Sequence, residues 1–280
     1  MASRYWVGGI GSQSWASTAN WSTTLGGAGG ASVPTTGDSV YIVQGRSSID
    51  QGLSQSAVNL ALLHIGFQGS IGTSTTPLQI QITAASSGAE ILRIFGNDVS
   101  VYIAVVMSGT FPLTQIFGNS GQVTFTSGST ILGNVICGAS GQVSFVGCAH
   151  SSNPTIISAG ASTTFDGTSG GVPNLATYGG THTSNITMQS VGASSGSYVS
   201  ITGSAGINGN AEAGSGGTYS HESSGTIAFM QTVPGGTATA ARAIAPFTVT
   251  ASVAWVTGSL FQNPPVTITY TNATTKYGFA

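Results

Sequence analysis

The side chains able to do acid–base, nucleophilic or metal chemistry are few and scattered. The carboxylates are Asp38, Asp50, Glu90, Asp98, Asp166, Glu212 and Glu222. A glycosidase sets two of them about 5–10 Å apart across the scissile bond. No two of the first five stand one repeat of this chain apart, and Glu212 and Glu222 stand at half a repeat, on opposite sides of a coil. Asp38 and Asp98 follow Gly37 and Asn97, turn contexts in which Asp bonds its own backbone. Arg93 beside Glu90 reads as a surface ion pair worth under about 1 kcal/mol. Cys137, Cys148 and His150 are the closest approach to a metal set. Zinc needs three or four ligands in paired clusters, so these cysteines read as small buried hydrophobes. His182 and His221 would need an oriented nucleophile, and serine is too common here for a neighbouring one to mean anything. Gly27–Gly30 lacks the Lys-Ser/Thr ending of a phosphate loop. The expectation is no catalytic residue, no metal and no cofactor. Tyr178, Tyr198 and Tyr219 step by about one repeat and are candidate glycan contacts on an outer stripe. Packing inside the coil or under a subunit interface is the competing and preferred reading.

The elements that would position these groups come from internal repeats. IFGN occurs at Ile94–Asn97 and Ile116–Asn119, SGQVTF at Ser120–Phe125 returns as SGQVSF at Ser140–Phe145, and GASTTF follows at Gly160–Phe165. Steps of 20 to 22 residues suit one coil of a β-solenoid, and the leucine-rich pattern is absent. An inward ladder extends the period through Ile42, Leu62, Ile82, Ile103, Phe125, Phe145, Phe165, Ile186, Ile207 and Ile227. A companion ladder two residues earlier runs Val40, Leu60, Ile80, Val101, Val123 and Val143, the spacing that puts both on one face of a strand.

Composition excludes other classes. Only 4% of residues are charged, against about 25% in ordinary domains. Hydrophobic residues at 40% and a net charge of −2 do not fit disorder. Arg4, Arg46, Arg93, Arg242 and Lys276 make no basic face, so nucleic acid is not an expected partner. The longest apolar run, Val101–Met107, is far short of a membrane span. MASRYWVGGIGS lacks a charged start and apolar centre, so manufacture without Sec export is expected.

The ends differ from the middle. Residues 1–36 hold Trp6, Trp15 and Trp21 and read as a cap over the first rung, whose open edge invites aggregation. Residues 37–204 read as the β-helix, and 205–244 as an irregular extension of the solenoid or a linker. Residues 245–280 read as a C-terminal antiparallel β region for capping or subunit contact, with alternating strands around Gly258–Pro265. Trp6, Trp15, Trp21, Trp255 and Phe261 are the candidate partner contacts.

WASTANWSTTLGGAGGASVPTTGDSVYI, followed by HIGFQGSIG at His64–Gly72, resembles the opening of β-helical virion proteins of tailed bacteriophages. The resemblance covers residues 1–75 and carries over no catalytic residue. It implies a right-handed parallel β-helix, commonly a homotrimer, in a capsid decoration protein, head fibre, tail fibre or tailspike. The expected function is a non-enzymatic capsid decoration, cement or head-fibre protein. It would be made in the host cytoplasm, located in the virion and bound to the major capsid or another virion protein. The alternative is a tail fibre or tailspike that recognises host surface glycan.

Overall fold

The computed structural model describes residues 2–8, 14–43, 54–66, 69–86, 88–95, 99–109, 112–117, 121–138, 141–151, 153–167, 171–194, 196–223, 225, 227–232, 235–240, 248–249 and 268–270. They form a parallel β-solenoid of about eight turns. Among them the one helical segment is a 3-10 turn, Thr18–Asn20.

The strands align in two long sheets of 13 and 14 strands. The first sheet starts with Trp21–Ser22 and Ser3–Trp6, continues through Ser39–Ile42 and Leu62–Ile65, and reaches Ile227–Thr232 and Thr248–Val249. The second passes through Leu78–Thr83, Val99–Ser108, Gln122–Phe125, Gln142–Val146 and Ser162–Asp166, and ends at Ile268–Tyr270. From Thr155 onward the chain alternates strand by strand between them. The middle coils add a third short strand, Thr130–Leu132 and then Ala149–Ser151, stacked on the far end of Val99–Ser108. Every described pairing is parallel except Trp21–Ser22 against Ser3–Trp6.

Strand alternation explains why these segments form walls. In Gln142–Val146, Val143 and Phe145 are buried while Gln142 and Val146 are exposed. Like residues then meet on neighbouring rungs about 4.8 Å apart. Phe125, Phe145 and Phe165 stack in register with centroid separations of 5.1 and 4.9 Å and ring planes within 9°. Corners need glycine where the turn is tight. Gly133 sits at φ 72°, and a Cβ there would lie 2.1 Å from the Pro112 carbonyl oxygen.

The two ladders read from sequence hold in the middle coils and drift elsewhere. Ile103, Phe125, Phe145 and Phe165 share one column, with Val101, Val123 and Val143 in the next. Beyond Phe165 that column continues as Ser184, Ile201 and His221, and Ile186 falls in a turn. Ile42 pairs with Ile65 on the first sheet, Ile82 with Leu60 and Met107 on the second, and Ile207 with Ile227 back on the first. The cause is coil length. The matched inner column of the first sheet runs Ile42, Ile65, Ile94, Ile116, Cys137, Ser158, Thr177 and Ala193. Its step reaches 29 residues between Ile65 and Ile94 and shrinks to 16 between Thr177 and Ala193. A fixed period therefore slides from one sheet to the other.

Within residues 205–240 further rungs form. Ile207–Ala213, Thr218–His221, Ile227–Thr232 and Thr237–Ala240 all pair in parallel. At the C-terminal end, Thr248–Val249 and Ile268–Tyr270 extend the two sheets in parallel rather than antiparallel. The hairpin expected around 258–265 lies outside the described residues.

At the other end, the Trp21–Ser22 strand folds back over Ser3–Trp6, and the indoles pack edge-to-face beneath it. Trp6 and Trp21 ring centres are 5.1 Å apart, Trp15 and Trp21 4.7 Å. The Trp21 indole N–H donates to the Trp15 carbonyl at 2.7 Å. A two-residue edge strand over a plug of three indoles leaves little template for another chain.

Candidate functional site

The cap and the turn behind it are tied by Asp38. Its carboxylate accepts the Ala2 N–H at 2.7 Å and both the N–H and the hydroxyl of Thr35 at 3.0 Å. Burial alone would raise this carboxyl's pKa. The bonds from Thr35 and Ala2, helped by the Arg4 charge, outweigh that and hold it below its usual value. This is structural chemistry, and it accounts for one of the seven acids.

The other described acids are engaged separately. Glu90 accepts two bonds from Arg93, at 2.6 and 3.0 Å, and lies 2.8 Å from His64 Nε2. Arg93 also donates to Gln115 at 3.0 Å. The Glu90–Arg93 pair is thus part of a four-residue cluster on the first sheet. Asp166, at the end of a second-sheet strand, is bonded by the Asn185 amide. Glu222 accepts the Ser220 hydroxyl at 3.0 Å. Glu212 lies on the first sheet beside Gly192 and Gln231. Asp50 and Asp98 are outside the described residues.

The other three histidines and the cysteines serve the interior. Cys137 stands in the inner column of the first sheet, while Cys148 and His150 belong to the second-sheet side. Both thiols are free, and burial pushes each up to about 12. Cys148 S–H donates to the Phe125 carbonyl at 3.3 Å. His150 packs against Phe145 and Phe165, and burial pulls it down to about 4. His182 Nδ1 meets the Thr163 hydroxyl and its Nε2 the Gly179 carbonyl, both at 2.8 Å. His221 Nδ1 meets the Tyr219 hydroxyl at 2.9 Å and its Nε2 the Gly225 carbonyl at 3.1 Å. Burial lowers both pKa values.

The aromatic contacts expected from sequence are relocated. Trp6, Trp15 and Trp21 are at most 2% exposed, so they plug the solenoid and present no surface to a partner. Trp255 and Phe261 are outside the described residues. The tyrosines do not form a stripe. Tyr178 is exposed on the first sheet, Tyr198 is exposed on the second, and Tyr219 is fully buried. The short coils in this region place a 20-residue step on a different wall.

Two outer surfaces stand out instead. On the first sheet an outward column runs in register through Tyr5, Tyr41, His64, Arg93, Gln115, Ile136, Ile157 and Ala176. Tyr5 and Tyr41 stack at 4.9 Å. The neighbouring column pairs Phe95 with Phe117, and Phe117 is 38% exposed. This wall is therefore mixed: its column is half-buried throughout, and His64, Arg93 and Gln115 separate the tyrosines from Ile136 and Ile157.

The second sheet carries an open groove of about 550 Å³. Its floor is the outward column Tyr102, Thr124 and Ser144, paired rung by rung. Gln79 and Gln122 flank that floor, and the turn at residues 73–77 forms a wall. The turn is held by its own hydroxyls. Thr73 Oγ1 lies 2.8 Å from Thr76 Oγ1, and the Thr76 N–H donates to Thr73 Oγ1 at 3.0 Å. Among the described residues, no Asp, Glu, Lys or Arg lines the groove. The Thr124 hydroxyl is buried with no hydrogen-bond partner among the described residues. The repeated words contain several of these residues, Phe95, Phe117, Thr124 and Ser144, but which surface they share depends on register.

No protein-family model, curated protein or solved structure matches the chain.

Proposed function

We propose that the protein is a non-enzymatic structural component of a bacteriophage virion, a decoration, cement or head-fibre protein that binds the particle surface. The observation that carries this reading is a partly exposed apolar group on one wall of the solenoid, where Phe117 is exposed and Phe95, Ile136 and Ile157 are half-buried. Apolar side chains left partly uncovered on one wall suit contact with another protein. The major capsid protein or another shell protein is the partner that suits such a surface. The resemblance of residues 1–75 to β-helical virion proteins supports the same conclusion. So does the near-neutral, hydroxyl-rich composition, which limits nonspecific charge attraction.

Immunogold electron microscopy of lysates from producing cells tests the proposal. Label spread over icosahedral heads is the expected result, and an Ile136→Asp, Ile157→Asp double variant should lose it while remaining folded. Label confined to tails, or on cells without particles, overturns the capsid reading.

A further inference from the structure

Gly192 stands where the fold does not call for glycine. It is the middle residue of the strand Ser190–Ser194, and a glycine inside a strand weakens it. Its backbone is not in the left-handed region. A Cβ built there would meet nothing nearer than the Leu175 carbonyl oxygen, at 3.9 Å. Gly133 differs on both counts, with a positive φ and a carbonyl oxygen 2.1 Å from the Cβ it lacks. A strand glycine with neither a conformational nor a steric reason marks a place kept open for another group to approach.

What Gly192 keeps open is a hollow of about 190 Å³ on the outer face of the first sheet. Ala176, Gly192 and Glu212 form one outward column over three rungs, and Tyr178 and Ser194 stand beside the first two. Tyr178, 54% exposed, and half-buried Glu212 therefore rise at diagonally opposite corners. Two rungs separate them, about 10 Å along the solenoid axis. The floor between them carries no large side chain. The hollow falls below the range of small-molecule sites, which begins at about 300 Å³, and suits a single side chain. Among the described lining residues Glu212 alone is charged, and the Ser194 hydroxyl already donates to the Thr177 carbonyl at 2.9 Å. A carboxylate and an aromatic ring across a small apolar floor favour a cation and reject an anion. A guanidinium fits better than an ammonium, because its plane stacks on the ring while its fork reaches the carboxylate. Glu212 also has a contact within the fold, and a carboxylate offers about four acceptor positions, enough for both.

We infer that this hollow is a docking pocket for an arginine side chain of a partner protein. Tyr178 covers one face of the guanidinium, Glu212 accepts its N–H groups, and Ala176 and Gly192 receive its methylenes. The pocket lies on the same sheet as Phe117, Ile136 and Ile157, and the inference holds whether or not the partner belongs to a virion.

The test is an NMR titration of the full chain with Nα-acetyl-argininamide, with Nα-acetyl-lysinamide and Nα-acetyl-glutamine amide as comparisons. Saturable shifts of the Ala176, Gly192 and Glu212 amides at millimolar affinity are expected, at least about threefold tighter for the arginine derivative than for the lysine one. Tyr178→Ala should weaken binding about two- to fivefold, the range of an exposed cation–π contact. Glu212→Gln should weaken it at least about fivefold. Gly192→Val is the sharper variant. It fills the hollow at a position that tolerates a side chain, so the melting temperature should hold or rise while binding is lost. No saturable shift at these amides, equal affinity for the lysine or glutamine derivative, or undiminished binding in Gly192→Val would each overturn the assignment.

Discussion

The coils up to Phe165 and the coils after it solve the same packing problem differently. In the earlier ones the second-sheet interior is Val101, Val123 and Val143 beside Ile103, Phe125, Phe145 and Phe165. In the later ones the same two columns read His182, Val199 and Tyr219 beside Ser184, Ile201 and His221. The first sheet changes in parallel, from Ile94 and Ile116 to Thr177 and Ala193. On the first sheet small side chains replace large ones, while on the second His182, Tyr219 and His221 bring polar atoms inside. Their polar atoms are then bonded across rungs and to turn carbonyls. Ser184 Oγ donates to the Ile186 carbonyl at 2.9 Å, and Thr177 Oγ1 to Ser197 Oγ at 2.7 Å. One half is held by stacked apolar bulk and the other by a laced polar interior. The same backbone ladder thus tolerates two kinds of core, provided each rung matches its neighbours.

Truncation should separate the halves most clearly. Phe145→Ala removes the middle ring of the Phe stack and should cost about 3–5 kcal/mol in urea unfolding, the usual range for a buried aromatic. In the later coils Tyr219→Phe keeps the ring but deprives His221 Nδ1 of its donor. A loss of about 1–3 kcal/mol is expected. If Tyr219→Phe proved as damaging as Phe145→Ala, the contrast between bulk and bonding would fail.

Acid should expose both halves through their histidines. His150 in the earlier coils, and His182 and His221 in the later ones, are all depressed by burial. The unfolded chain takes up their protons as pH falls below 6.5, whereas folded His150 does so only at about 4. Between those values the unfolded state binds more protons, so stability declines with falling pH. Each histidine contributes about 1.4 kcal/mol per pH unit within its window. His150→Leu should remove one proton from the slope, measured by urea midpoints from neutral pH down to about pH 5. An unchanged slope would show that His150 is not held neutral by its Phe145 and Phe165 neighbours.

The smallest effect belongs outside both cores. Tyr178 is 54% exposed on the first sheet. Tyr178→Ser should change stability by under about 0.5 kcal/mol in the same assay.

The repeated words made the middle of the solenoid legible. SGQVTF and SGQVSF place valine and phenylalanine two apart, and that spacing puts both inside. The groove was not legible in the same way. Thr124 and Ser144 occupy polar, outward positions of those words like many other Ser and Thr residues in the chain. What distinguishes them is that they line one groove with Ser74, Thr75 and Pro77, residues far away in sequence. The tyrosine spacing misled for the converse reason. Tyr178, Tyr198 and Tyr219 keep an even step while the coil length beneath them does not.

By itself the sequence determined the class: alternating apolar residues, glycine-rich turns and a near-absence of charge leave stacked parallel strands as the economical way to bury 40% hydrophobic residues. Tertiary structure alone decided which side chains meet. Cross-rung register depends on the length of every intervening turn, and one shorter coil moves all later residues to another wall. That is why the three indoles became an internal plug, the tyrosines parted, and a tyrosine, two glutamines and a threonine came to share one groove.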